Sequence, residues 1–290
     1  CVMGLMLLMY SISSFAIDQQ KIASTNVAPP AIEGKSWLLI DHDSGAILSA
    51  GDPDMQIEPA SLTKLMTAFI VFRELAEGRQ NLDDMVFVSE KAWRMEGSRM
   101  FIKVNTNGRL EDLVKGMIIQ SGNDATVALA EHVAGTEESF VGLMNKVAAE
   151  LGMRQTHFVN SSGMPGEGHL TTATDLATLT RALINQYPQY YKYYSVKDFT
   201  WNNIKQGNRN ILLYRDATVD GVKTGHTESA GYCLIGSAER DGMRLIAIVT
   251  GTGSKQARAD MVQNLLNYGF RNYITREIYP AGKLIQNIDV

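Results

Sequence analysis

The stretch Gly231-Tyr232-Cys233-Leu234-Ile235-Gly236-Ser237-Ala238-Glu239-Arg240-Asp241-Gly242-Met243-Arg244-Leu245-Ile246-Ala247-Ile248-Val249-Thr250 decides the fold class. Its two apolar runs, 231–239 and 243–250, are joined through Asp241-Gly242, a pair that accepts the positive φ of a two-residue hairpin turn. A last helix from about Gln256 to Tyr268 follows. At the other end of the chain, Trp37 to Asp41 and Ala46 to Leu48 flank the turn-prone Asp43-Ser44-Gly45 and read as a second hairpin. Between the hairpins the apolar spacing is helical. Leu65, Met66, Phe69, Phe72 and Leu75 recur on one face after Pro59, which predicts a buried helix beginning near Ser61 and ending before Gly78. Further helices are expected over Leu110 to Ile119, from Asp124 as N-cap to Ala134, over Glu138 to Leu151, and over Asp175 to Ile184. Strands at both ends with helices between them predict an α+β fold, one antiparallel sheet from N- and C-terminal segments packed with a helical region.

The composition suits such a design. The chain has 290 residues, of which 45% are hydrophobic and 20% charged, enough for a sizeable core. The formal net charge is only -4 and no basic run is present, which argues against nucleic acid as a partner.

The apolar stretch from Val2 to Phe15 is too short to span a bilayer comfortably, and with small residues at Ser14 and Ala16 it reads as an incomplete signal peptide, residues 1–16. Residues 17–31, ending near Pro29-Pro30, read as a flexible lead-in. The main domain is expected over 32–270, and 271–290 as the start of a further region. Without the leader, Cys233 is the only cysteine, so no intramolecular disulfide is expected.

Three short segments carry chemistry. Ser61-Leu62-Thr63-Lys64 sets a hydroxyl and an amine three residues apart at a helix start, close enough to share a proton. Alone it is equally an N-cap serine followed by a surface lysine. Ser121-Gly122-Asn123 presents a hydroxyl and an amide on a turn between two helices, an arrangement that also serves as ordinary turn chemistry. Lys223-Thr224-Gly225 lies just before the C-terminal strands, where a cation and a hydroxyl can bind a carboxylate and the glycine permits close backbone approach.

Taken together and in order, S-x-x-K, S-x-N and K-T-G are the set that marks penicillin-binding proteins and serine β-lactamases. With Gly122 in the second element, and with Glu58-Pro59-Ala60-Ser61-Leu62-Thr63-Lys64, Ser121-Gly122-Asn123-Asp124-Ala125 and Asp220-Gly221-Val222-Lys223-Thr224-Gly225-His226-Thr227 around the motifs, the chain resembles the low-molecular-weight penicillin-binding proteins that act as D-alanyl-D-alanine carboxypeptidases. The likeness runs from about Ile32 to Phe270. It implies a serine β-lactamase/transpeptidase-like fold and an exported enzyme, periplasmic or on the outer face of the cytoplasmic membrane, acting on peptidoglycan stem peptides that end in D-alanyl-D-alanine. Ser61 would be acylated, by substrate or by β-lactams, with Lys64 as its base. Ser121 would relay a proton, with Asn123 beside it. Lys223 and Thr224 would hold the substrate carboxylate, Gly225 would let the substrate backbone approach, and the backbone N–H groups of Ser61 and His226 would form the oxyanion hole. Arg258 would assist with the carboxylate. Burial and a second cation at Lys223 are expected to lower the pKa of Lys64. No cofactor is implied. Relatives carry a second, β-rich domain and a C-terminal amphipathic membrane anchor, so membrane association through such an anchor is expected.

Other readings fare worse. Glu167, in Ser161-Ser162-Gly163-Met164-Pro165-Gly166-Glu167-Gly168-His169-Leu170, reads as solvated loop charge rather than the water-activating glutamate of a class A β-lactamase. There is no G-x-S-x-G, no H-E-x-x-H, and the five histidines, at 42, 132, 157, 169 and 226, lack metal-ligand spacing. An endopeptidase, a transpeptidase or an inactive peptidoglycan-binding module remains compatible with the motifs.

Overall fold

The computed structural model describes residues 27–277. The expected leader, 1–16, the lead-in up to residue 26 and the C-terminal stretch from residue 278 lie outside the described residues. In chain order the elements are β1 (Ser36–Asp41), β2 (Ile47–Gly51), a 3-10 turn (Ala60–Thr63), α1 (Lys64–Ala76), β3 (Met85–Phe87), α2 (Glu90–Trp93), β4 (Asn107–Arg109), α3 (Leu110–Lys115) running into a π-helical turn (Gly116–Gln120), α4 (Asn123–Ala134), α5 (Glu137–Glu150), α6 (Ala173–Gln186), α7 (Pro188–Tyr191), β5 (Asp198–Trp201), β6 (Ile204–Gly207), β7 (Val219–Thr227), β8 (Gly231–Arg240), β9 (Met243–Thr252) and α8 (Lys255–Asn272).

The main sheet has five strands in the order β2-β1-β9-β8-β7, every pairing antiparallel. β1 pairs with β9 from Ser36 opposite Thr250 to Asp41 opposite Leu245, so the two ends of the chain share one sheet. The β8–β9 turn has φ of 50° at Asp241 and 78° at Gly242, as the hairpin reading requires.

Alternation along the strands assigns their side chains to two cores. Leu245, Ala247 and Val249 of β9, with Leu39 of β1, join Val262, Leu265 and Leu266 of α8. Ile246 and Ile248, with Leu38 and Ile40, face the larger helical core that includes Leu65, Phe69 and Phe72 of α1 and Leu176 and Leu183 of α6. Both faces are therefore covered, which is why these strands read as continuous apolar runs. Each fully buried aliphatic side chain contributes about 1.5–3 kcal/mol of transfer free energy before entropy is set against it.

Three local expectations are corrected. Lys223-Thr224-Gly225 lies within the edge strand β7, not ahead of the strands, because pairing with β8 from Val219 opposite Ala238 to Thr227 opposite Gly231 orders a segment with no apolar alternation. Ser61 sits on a 3-10 turn, and the α-helix proper starts at Lys64. Gly122, not Asp124, is the N-cap of α4. The carboxylate of Asp124 instead accepts from the backbone N–H groups of Met100 (2.9 Å), Phe101 (2.8 Å), Ile102 (3.2 Å) and Ala125 (2.9 Å).

That arrangement ties the 96–102 loop to the start of α4, helped by Asn123 N–H to Ser98 O at 2.7 Å. Deleting a buried acceptor leaves several donors unpaired, each costing about 1–3 kcal/mol. Asp124→Ala is expected to lose on the order of 3–5 kcal/mol in denaturant unfolding. A loss below about 1 kcal/mol would show that the loop is held by other contacts.

Candidate active site

The three motifs converge on a cleft of about 490 Å³ whose lining includes Ser61, Ser121, Asn123, Thr224, Gly225 and His226. Ser61 is half-buried and reachable, on a turn whose Ala60 takes φ of 45°, a sparsely populated region for a residue with a Cβ. Gly163 closes against that turn. A Cβ there would stand 1.8 Å from Ala60 O, so only glycine permits the approach.

Lys64 is 1% exposed, which excludes the surface-lysine reading of the first motif. Its Nζ lies 3.0 Å from Ser61 Oγ, 2.6 Å from Asn123 Oδ1 and within hydrogen-bond reach of Ser162 O. Two of these partners are carbonyl oxygens that can only accept, whereas the serine hydroxyl can also donate. A neutral amine has two N–H groups and one lone pair, which matches two carbonyls and one hydroxyl donor. The geometry therefore accommodates the lysine in the form that takes a proton from Ser61.

Electrostatics act in the same direction. Burial lowers the Lys64 pKa to about 7, with a smaller contribution from the Arg209 guanidinium and an opposing one from Asp124. Arg209 is a neighbouring cation that the sequence did not announce, and the repulsion expected between Lys64 and Lys223 is expressed in the lowered pKa of Lys223. Arg209 is exposed along part of its length and its field is partly screened, so burial is the principal cause.

Lys223 forms a second serine–lysine pair, its Nζ 2.8 Å from Ser121 Oγ and 3.0 Å from Thr224 O. At 2% exposure it stands behind the cleft wall, with Thr224 on the wall itself. Burial first, then the charges of Lys64, Arg209 and Arg258, hold its pKa well below the ordinary lysine value. Ser121 has φ of 64° after the π-helical turn, which turns the chain sharply before α4. Asn123 completes the link, with Nδ2 donating to Glu96 O at 2.7 Å and Oδ1 accepting from Lys64.

His226 is exposed, its ring 4.0 Å from that of Tyr232, and its backbone lies on β7. Arg258 lines the cleft, but its Nη1 donates to Gly225 O (3.0 Å) and Cys233 O (3.4 Å), so it braces β7 against β8. Glu167 is exposed and lies off the cleft lining, which among the described residues includes no acidic one. Sequence reasoning missed Arg209, Lys255, Gly97 and Ser98, all on the wall. It also missed the carbonyl of Ser162, since a backbone group leaves no mark in residue type.

A buried lysine poised on a reachable serine, facing a second serine–lysine pair across an acid-free cleft, defines a serine acyl-transfer site. Comparison with known proteins gives the family: the chain belongs to the D-alanyl-D-alanine carboxypeptidase family of S11 peptidases, whose model matches residues 23–254. It is 41% identical to the D-alanyl-D-alanine carboxypeptidase DacA of Haemophilus influenzae, over 95% of this chain and 71% of that protein. Among solved structures it resembles penicillin-binding protein 5 from Haemophilus influenzae, with TM-score 0.83 and 44% identity over 84% of this chain and 73% of that one. It also resembles the ampicillin-bound penicillin-binding protein D2 from Listeria monocytogenes, with TM-score 0.77 and 30% identity over 84% of this chain and 100% of that one.

Proposed function

We propose that the chain is a serine D,D-carboxypeptidase that removes the terminal D-alanine from peptidoglycan stem pentapeptides. The observation that carries this reading is the buried Lys64 amine 3.0 Å from Ser61 Oγ, with its pKa lowered to about 7. Neutral Lys64 takes the hydroxyl proton as Ser61 Oγ attacks the carbonyl of the penultimate D-alanine. The negative charge that develops on the carbonyl oxygen is stabilised by the backbone N–H groups of Ser61 and His226. Collapse breaks the peptide bond as the proton held by Lys64 is relayed through the Ser121 hydroxyl, beside Lys223, to the departing D-alanine amine. This leaves Lys64 neutral again to take a proton from the incoming water and return it to Ser61 Oγ. Water then hydrolyses the ester on Ser61, releasing the shortened peptide and restoring the serine.

Asn123 holds Lys64 in line, and Gly225 lets the substrate backbone lie against β7. The Thr224 hydroxyl receives the terminal carboxylate, with Arg209 supplying positive charge on the wall and Lys223 supplying it from behind. Export to the periplasmic side, where peptidoglycan lies, accords with the apolar leader sequence, and the same chemistry makes the protein a target of β-lactams. Mass spectrometry of the products from a pentapeptide ending in D-alanyl-D-alanine, with and without an amine acceptor, tests the reading. Tetrapeptide plus free D-alanine in both samples is expected. An amine adduct as the main product would make the chain a transpeptidase, and intact substrate would end the assignment.

Amidating the last D-alanine is expected to lower kcat/KM roughly ten- to a hundredfold, the loss of about 1.5–3 kcal/mol that follows when a charge-assisted hydrogen bond disappears from a desolvated site. Equal turnover of acid and amide would remove Thr224, Lys223 and Arg209 from carboxylate recognition.

A further inference from the structure

We propose that His169 is a positioning residue for the base: it pins the 157–170 loop to Thr63 and thereby fixes where the Ser162 carbonyl meets Lys64. The inference rests on the reading of Lys64 as base.

His169 is 2% exposed and plays no part in the chemistry above. Its Nδ1 lies 3.0 Å from Val159 N and its Nε2 lies 2.8 Å from Thr63 Oγ1. A backbone N–H can only donate, so Nδ1 is the acceptor, the ring proton sits on Nε2, and that proton is donated to Thr63. Burial lowers the ring pKa to about 4, with His157 adding to the effect and Glu58 opposing it, so the neutral tautomer persists at neutral pH. The Phe158 ring packs against the imidazole edge to face, with centroids 5.9 Å apart.

Thr63 lies between the nucleophile and the base in sequence. As N-cap of α1 it makes no side-chain capping bond, so its hydroxyl is directed to His169 rather than to its own helix. On the loop side, His157 and Leu170 exchange backbone hydrogen bonds of 2.8 and 3.0 Å that close the two ends. Asn160 Oδ1 gathers the N–H groups of Ser162 (3.2 Å), Gly163 (2.7 Å) and Met164 (3.1 Å). Ser161 O accepts from Thr67 Oγ1 at 2.8 Å, and Ser162 O accepts from Lys64 Nζ. His169 joins the start of this loop, its end and the nucleophile turn through one rigid ring. Without that ring the loop can lift, water reaches the buried amine, and the principal cause of the lowered Lys64 pKa is relieved.

The test follows penicillin acylation of Ser61 against pH for His169→Leu, His169→Gln and Thr63→Val in the full chain, with thermal melts to verify folding. In His169→Leu the rate at pH 7 is expected to fall about tenfold, the scale of a small misplacement of reacting groups, and its pH midpoint to rise by about one unit as burial is lost. Thr63→Val removes the same bond from the other side and should shift the midpoint likewise, with the double variant no worse than His169→Leu alone. His169→Gln keeps a donor toward Thr63 and should recover much of the rate. Folded variants with the parent midpoint and rate would overturn the proposal. If His169→Leu does not fold, an unshifted Thr63→Val overturns it equally. A parent protein with no midpoint near pH 7 would instead refute the reading of Lys64 as base, so the two failures are distinguishable.

Discussion

A folded Ser61→Ala chain is expected to take no covalent label from a fluorescent penicillin, whereas the parent chain is labelled at Ser61. The strained β-lactam amide occupies the place of the D-alanyl-D-alanine bond, its ring opens as the Ser61 ester forms, and the tethered leaving group remains attached. Deleting Oγ removes the atom to which the new bond is made. Ser121 Oγ, 2.8 Å from Lys223 Nζ, is the hydroxyl that a persisting label would implicate first. Labelling that persists in Ser61→Ala would move the nucleophile elsewhere.

Lys64→Arg is expected to slow that acylation by about 10²–10⁴-fold, the usual worth of general-base assistance. Arginine keeps the charge and the donors toward Asn123 Oδ1 and Ser162 O but cannot give up a proton in a protein. The comparison therefore separates a base from a fixed cation. A drop of less than about tenfold in a folded variant would mean that the proton goes to another group, with Ser121 the next to replace.

Much of this was legible in the sequence where residue type and local geometry coincide. Asp241-Gly242 announces the β8–β9 turn because few other residues accept positive φ, and the spacing of Ser61 and Lys64 follows from helical geometry. The order of the three motifs then brought in the family and its fold. The rest depended on contacts distant in sequence. β7 was missed because Asp220, Gly221, Lys223 and Gly225 carry no strand pattern, and it is β8 that holds them extended. Asp124 was taken for a cap because its true partners, the N–H groups of 100–102, lie more than twenty residues away. Nothing in the sequence singled out Arg209, whose charge the fold brings to bear on both lysines, and His169 was weighed only as a metal ligand until its ring met Thr63.

The central claim is that Lys64 acts as a neutral base on Ser61, and the pH dependence of penicillin acylation tests it most directly. With the pKa at about 7, the neutral fraction rises from about one tenth at pH 6 to about nine tenths at pH 8. The second-order rate constant for Ser61 labelling should therefore climb about tenfold across that interval, with its midpoint near pH 7, and Lys64→Arg should lose the midpoint. A rate constant that is flat from pH 6 to pH 8, or that falls, would contradict the account.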